Sequence, residues 1–427
     1  MNDFFAKHRI LKALAPLVSA IILVVLLFFS PLTLTPNYSM QQLKQFATNP
    51  SSRVSFVGYS IKEQAFQNPN FLPILGSSEL EHFDAFHPSV YSAKYKTAYT
   101  PFLAGQPGTQ SLSQFFYVNS VASALKNRKI VFIISPQWFT PRGVQPAALE
   151  DFVSKGEIYT WLRTANPKDE TTQQLAQRLL GIPDFSDDIV IDSALKSLAK
   201  GQSLNLITDF GVSSSEQFWK KEDLLFSYFS MLQTQKANPL KMVNQYAKQL
   251  PKSPNEKELE NLAYQQGQAN ANNNKFGIAN QVWAKNIKPQ AARRKGTMKK
   301  VSYLQSPEYA DFQQLLNQFA ANHDDVEFVI PPVNGAWYKY CGLSEQTLQD
   351  FSDKITYQLQ SQGFNNILDL TSKYNEPYFI GDTIHFGTRG WLAVNQGIAQ
   401  FMKKPMNANY QMDNQKFLSK TWQMGKY

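Results

Sequence analysis

A stretch of 22 residues without a charge, Ala13 to Leu34, limits what this chain can become more than any other feature. Its centre reads Ile21-Ile22-Leu23-Val24-Val25-Leu26-Leu27-Phe28-Phe29. As a helix at 1.5 Å per residue the stretch covers about 33 Å, against a bilayer hydrocarbon core of about 30 Å. Pro31 and Pro36 limit its end, so the helix is expected to reach back to Ile10. A cleaved leader would have a shorter apolar run and a small-x-small site, and Ser30-Pro31-Leu32-Thr33-Leu34 offers none. The expectation is a retained single-pass transmembrane anchor over residues 10–34. Lys7, Arg9 and Lys12 lie before the run or at its start, which puts residues 1–9 in the cytoplasm and residues 35–427 outside the cell membrane.

The rest of the chain is a different material. Its mean hydropathy of −0.35 fits one apolar segment on a soluble body and excludes a multi-span protein. With 43% hydrophobic and 13% aromatic residues it has enough apolar surface to offset chain entropy, so it is not disordered. One cysteine, Cys341, excludes an internal disulfide and a cysteine-rich metal cage. Lys and Arg exceed Asp and Glu by 42 − 33 = 9, which favours a polyanionic neighbour. With the body outside the cytoplasm, that neighbour is anionic lipid or envelope polymer rather than nucleic acid.

Strand-like runs recur at Phe71–Leu75, Lys129–Ile134 and Val326–Ile330, with a shorter one at Asn366–Leu370. The second and third are continuous apolar runs, as in parallel strands buried on both faces. Helical spacing lies between them, at Leu112–Lys126, Tyr309–Phe319 and Ser344–Ser361. This alternation predicts an α/β fold with a mostly parallel sheet. From about residue 141 to 301 helix follows helix, which reads as a helical insertion between two strands. Near its end Lys285, Lys288, Arg293, Arg294, Lys295, Lys299 and Lys300 fall within sixteen residues that carry no acid. Such a run is either a solvated loop or a contact for phosphate-rich polymer or lipid head groups.

Three segments carry chemistry together. Gly76-Ser77-Ser78-Glu79-Leu80 follows a strand, where a serine on a strand-to-helix turn is held exposed near backbone N–H groups. Asp382-Thr383-Ile384-His385 places an acid and an imidazole three residues apart, so that the carboxylate can hold Nδ1–H and leave Nε2 to take a proton from a serine. Gly105-Gln106-Pro107-Gly108 precedes a helix and offers N–H groups to an oxyanion. Of the other histidines, His82 and His87 follow the serine turn and read as structural, and His323 as a surface turn. No nucleotide loop and no metal-binding pair is evident, so no cofactor or metal is expected.

Serine near the start of an α/β body, a glycine turn and Asp-x-x-His near the end resemble the SGNH, or GDSL-type, hydrolases. That resemblance implies a flavodoxin-like three-layer sandwich and an acyl-serine intermediate. It assigns Ser78 as nucleophile, His385 as base and Asp382 as its orienting acid. Gly108 matches the second-block glycine, and Gln137 stands where an oxyanion donor of the missing Gly-x-Asn-Asp block would be. Ser77 replaces the family's aspartate, so Ser77 and Ser78 both remain candidates. Gly76-Ser77-Ser78-Glu79-Leu80, Phe86-His87-Pro88-Ser89, Ser135-Pro136-Gln137-Trp138-Phe139, Pro331-Pro332-Val333-Asn334-Gly335 and His385-Phe386-Gly387, in this order behind an anchor, resemble the DltD family of D-alanyl-lipoteichoic acid biosynthesis. The resemblance implies extracellular D-alanyl transfer to lipoteichoic acid in Gram-positive bacteria. It implies as partners a membrane-bound O-acyltransferase, a D-alanyl carrier protein system, lipoteichoic acid and the membrane. Two other classes fit the residues: an envelope esterase or O-acetyltransferase, and a scaffold without catalysis.

Overall fold

A computed structural model describes residues 2–30, 35–52, 56–233 and 239–425, and the side chains of these apart from 2–13, 27, 29, 184 and 228–233. Five strands form one parallel sheet: β1 Phe71–Leu75, β2 Thr100–Ala104, β3 Lys129–Ile133, β4 Asp325–Ile330 and β5 Ile367–Asp369, in the order β2-β1-β3-β4-β5. This is the strand order of doubly wound flavodoxin-type sheets, in which ligands bind beyond the carboxyl ends where the winding reverses. Here that point lies between β1 and β3.

Side chains alternate across the sheet. Leu75, Phe102, Phe132 and Phe328 enter one apolar cluster, and Ile74, Leu103, Val131 and Val329 the other. Helices cover both faces and extend beyond them. Among them are α1 Asn2–Phe29, α2 Tyr59–Gln67, α3 Pro88–Tyr95, α4 Ser111–Ser120, α5 Pro146–Phe152, α6 Lys155–Thr164, α7 Ile189–Leu198, α8 Leu206–Gln233, α9 Pro239–Ala247, α10 Glu256–Asn270, α11 Glu308–Asn322, α12 Gly335–Cys341, α13 Glu345–Gln360 and α14 Thr388–Lys403. On the first face α4 packs against α11, and on the second α10 packs against α14 and α9 against α3. The helices between β3 and β4 are therefore not one appendage. Val243, Leu259 and Ala263, from α9 and α10, belong to the core of the second face.

The expected strands are present, and β2 is the one that periodicity did not reveal. Its sequence, Thr-Pro-Phe-Leu-Ala, carries a proline that argues against a central strand. β2 is an edge strand, where a missing N–H costs no ladder bond. Pro73 in β1 obeys the same rule differently, because β1 pairs with β3 only at Ile74 and Leu75, after the proline. The helix expected at Ser344–Ser361 runs Glu345–Gln360, with the Ser344 side chain accepting from Thr347 N and Gly363 at φ +95° beyond its end.

Inside the body, Lys62 of α2 and Glu157 of α6 form a 2.8 Å ion pair at 0% and 4% exposure. Lys62 also reaches Ser120 Oγ at 3.0 Å and lies over the Tyr117 ring. Asp223 of α8 accepts from Tyr59 N and Ser60 N, at 3.0 and 2.9 Å, and so caps α2 from another element.

α1 starts at Asn2, earlier than the expected Ile10, and has Pro16 inside it. Its described apolar side chains from Leu14 to Leu26 are about half exposed or more. Among the described residues no helix is long and apolar enough to cross a membrane. The anchor expected over residues 10–34 falls partly outside the described residues.

Candidate active site

Each parallel strand delivers its next residues to the same edge of the sheet. β1 delivers Gly76-Ser77-Ser78. A Cβ at Gly105, at the end of neighbouring β2, would lie 2.5 Å from the Gly76 carbonyl and 2.8 Å from Ser77 N. Only a glycine there lets β2 run this close to the serine turn. Gln114 of α4 donates to both Gly76 O and Ala104 O at 2.8 Å, and Thr109 Oγ1 lies 2.8 Å from Gly76 O. Ser77 is buried and its Oγ donates to Gln106 O at 3.1 Å. Ser78 is the half-buried one, opening a short 3-10 turn, Ser78–Glu81. Its N–H, as the first of that turn, has no acceptor within it. Glu79 is buried and accepts from Ser77 N at 2.7 Å, and burial raises its pKa.

Asp382 and His385 come from the other end of the chain. The loop from Gly381 to Gly387 is pinned by a bridge between Ile380 and Phe386 and by Gly381 N donating to His385 O at 2.8 Å. Asp382 Oδ1 accepts from Ile384 N and His385 N, at 2.8 and 2.9 Å. Its Oδ2 lies 2.6 Å from His385 Nδ1. His385 Nε2 then lies 2.7 Å from Ser78 Oγ, across 307 positions of sequence. Asn334, after β4, ties this loop to the sheet: its side chain donates to Asp382 O at 3.0 Å and its N–H to Thr383 O at 3.0 Å. The same side chain accepts from Trp337 N and so caps α12.

The electrostatics follow. Burial pushes the Asp382 carboxyl up, but the His385 ring and the two backbone N–H groups outweigh it, and the pKa falls to about 2. Burial disfavours a charged His385 ring, yet the Asp382 hydrogen bond and charge, with help from Glu79 and Glu81, raise its pKa. His82 stacks on His385, centroids 3.9 Å apart and planes 18° from parallel. Desolvation and the His385 charge lower the His82 pKa.

Thus Ser78, His385 and Asp382 meet, while the Ser77 hydroxyl is bonded to Gln106 O instead. The glycine pressed on the serine turn is Gly105, while Gly108, at φ +103°, lies against Phe152 and Ala148 of α5. Gln137 is half-buried on the short 3-10 turn Pro136–Trp138 after β3. Gly105 and Asn334 stand within motifs visible in the sequence, but their contacts are tertiary. Trp138, Trp337 and Tyr338 are buried packing residues. Asp382, His385 and His82 are, among the described residues, the group whose ligand atoms lie close enough, within 4.8 Å, to hold a metal ion. Both His385 nitrogens are already taken by Asp382 and Ser78.

A cleft of about 190 Å³ opens beside His385, lined by His82, Phe83, Gly277, Val282, Tyr378 and Thr388 among others. Three residues past Val282 the basic run begins. All seven of its Lys and Arg side chains are exposed, and among the described residues none of them forms an ion pair. The run is seated on α12 through Gly296 N to Tyr340 O and Met298 N to Cys341 O, at 3.1 and 2.8 Å.

This geometry is what acyl transfer through a serine requires, on a body whose likeness to known proteins is extensive. The sequence profile described as DltD protein matches residues 47–403. Protein DltD of Lacticaseibacillus rhamnosus is 38% identical over 424 residues, covering 96% of each chain. Protein DltD of Bacillus subtilis (strain 168) is 33% identical over 85% of this chain and 90% of its own. Protein DltD of Staphylococcus aureus (strain NCTC 8325 / PS 47) is 31% identical over 81% and 84%. A match running from before β1 to the end of α14, with relatives above 30% identity along nearly their whole length, makes the chain a member of the DltD family.

Proposed function

We propose that this chain is a serine-dependent acyltransferase that moves D-alanyl groups onto lipoteichoic acid at the outer face of a Gram-positive cell membrane. The observation that carries the proposal is the relay from Ser78 Oγ through His385 to Asp382, at 2.7 and 2.6 Å, at the carboxyl edge of the sheet. Family membership supplies the D-alanylation context.

In the proposed reaction Ser78 Oγ attacks the carbonyl carbon of an activated D-alanyl ester. His385 Nε2 takes the hydroxyl proton, and Asp382 holds Nδ1–H and stabilises the imidazolium. The N–H groups of Ser78 and Gly105 are the proposed donors to the oxyanion. Collapse breaks the ester to the donor, whose oxygen or sulfur leaves with the proton from His385. A glycerol hydroxyl of the polymer then attacks the alanyl-serine, His385 takes its proton, and Ser78 departs with that proton. The same triad would serve hydrolysis, so the outcome depends on whether water or polymer reaches the acyl-enzyme. No metal or cofactor enters a step. The exposed basic run beside the cleft suits a polyphosphate acceptor. A membrane-bound O-acyltransferase and the D-alanyl carrier protein system are the proposed source of the donor. A single-pass anchor at residues 10–34 would hold the body at the membrane and raise its effective concentration there.

The test is labelling of the detergent-solubilised chain with a fluorophosphonate and mapping of the adduct by peptide mass spectrometry. The expected adduct is on Ser78 and is lost in His385→Ala. An adduct on Ser77 would move the nucleophile. A folded protein that does not label, in cells where Ser78→Ala leaves envelope D-alanine intact, would replace the enzyme with a scaffold.

A further inference from the structure

α7 and α8 form an antiparallel pair that does not line the cleft, with Val190 against Gly211 and Ser193 Oγ 3.0 Å from Thr208 Oγ1. Along this pair four large apolar side chains are exposed, Ile189 at 85% where α7 begins and Leu206 at 90%, Ile207 at 86% and Phe210 at 73% in the first turns of α8. A contiguous exposed apolar patch marks an interface.

The helix itself says which side of the molecule this is. At about 100° per residue, Leu206, Phe210, Lys221, Ile207 and Phe218 of α8 fall within an arc of about 120°. Thr208 and Val212, on the opposite arc, are buried against the body. The outer arc is where α1 sits. Phe28 stacks on Phe218, centroids 4.6 Å apart, and Lys221 Nζ donates to Ser30 O. Phe210 and Leu206 lie about 12 and 18 Å along α8 from that contact. α1 leaves this seat with its apolar residues from Leu14 to Leu26 largely uncovered. Two uncovered apolar surfaces thus share one arc of one helix, close enough for a medium that covers α1 to reach both. Lys200, exposed in the loop between α7 and α8, adds a positive charge suited to anionic head groups.

We propose that the α7–α8 corner is a lipid-docking surface. Ile189, Leu206, Ile207 and Phe210 enter the head-group boundary beside α1, to the depth of about 5–10 Å usual for interfacial helices. The body would then have two attachments to the membrane, α1 and the α7–α8 foot, which together fix the height and tilt of the cleft. The inference rests on reading α1 as the anchor.

The experiment uses the full chain with Cys341→Ser, reconstituted in vesicles of phosphatidylglycerol and phosphatidylcholine. An environment-sensitive fluorophore is attached at Ile207→Cys, Phe210→Cys, Leu23→Cys or Lys257→Cys, one at a time, and spin-labelled lipid is the quencher. The proposal expects probes at 207, 210 and 23 to shift to the blue and lose most of their emission, and the probe at exposed 257 to stay unchanged. Quenching at 23 without quenching at 207 and 210 overturns the docking surface and leaves the anchor standing. Absence of quenching at 23 overturns the anchor, and the docking surface with it. Shielding of 207 and 210 that needs a co-reconstituted membrane acyltransferase, and is absent in lipid alone, overturns lipid in favour of a protein partner.

Discussion

Two segments of this chain read Asp-x-x-His, and they behave in opposite ways. Asp382-Thr383-Ile384-His385 is the proposed acid–base pair, and Asp84-Ala85-Phe86-His87 leads into α3. Both begin with the same turn: the aspartate accepts from the N–H two residues on, Ile384 at 2.8 Å and Phe86 at 2.7 Å. They part at the imidazole. His385 Nδ1 meets the other oxygen of Asp382. His87 Nδ1 instead accepts from Ser89 N at 3.3 Å and caps α3, with its ring stacked on Phe83 and edge-on to Trp391. The charges diverge accordingly. Burial takes His87 down to about 3 and, despite backbone hydrogen bonds, leaves Asp84 up at about 7. In the other segment mutual contact reverses burial, with Asp382 at about 2 and His385 raised. Spacing allows a dyad, but the job given to Nδ1 decides whether one forms.

The strongest way to break this contrast is to remove the base. His385→Ala should lower the rate of serine labelling and of D-alanyl transfer by up to roughly 10⁶-fold, as loss of a triad base does elsewhere. Asp382→Asn should cost about 10⁴-fold in the same assays. Next comes pH. His385 acts only when neutral and its pKa lies above the ordinary value, so labelling should rise with pH through a midpoint above 6.5. In Asp382→Asn that midpoint should fall, because the group that raised it is gone.

The Asp84–His87 turn should show itself in stability instead. A histidine whose folded pKa lies below its unfolded value contributes stability above the unfolded pKa, and that stability is lost as pH falls from about 6.5 towards about 3. Thermal unfolding of His87→Asn should therefore be less acid-sensitive than that of the parent. Asp84 has the reverse sign: its folded pKa is raised, so its contribution is present at low pH and lost as pH rises through about 7. The smallest effect expected is that Asp84→Asn leaves labelling unchanged and raises the melting temperature at pH 8, with the gain shrinking as pH falls below about 7 and vanishing only below the ordinary carboxylate value of 3.8.

Much of the candidate site was legible because its motifs are local in sequence. Ser78, Asp382 and His385 stood out by residue type and by position after strands. The choice between Ser77 and Ser78 was not legible, since it depends on which hydroxyl Gln106 O claims and which faces His385. Nor was Gly105, because its need for glycine comes from β1 passing beside it. Composition could not separate the two Asp-x-x-His segments, which differ by an imidazole's partner rather than by spacing. In the fold, β2 was hidden by Pro101, and its edge position, which makes the proline harmless, exists only once the sheet is assembled. Within the run of helices expected from about 141 to 301, α8 begins at Leu206. Its first turn carries Leu206, Ile207 and Phe210 outward, against the inward pattern that periodicity looks for.

The 307 positions between Ser78 and His385 also set a time. A ribosome adding about 5–20 residues per second needs roughly 15–60 s to pass from one to the other. Through that interval the serine exists without its base. A chain that stalls or is cut short before residue 385 carries the nucleophile as an ordinary alcohol, inert towards every ester it meets. On the proposed mechanism, activity becomes possible only in the last tenth of synthesis, and unfinished copies cannot waste a donor.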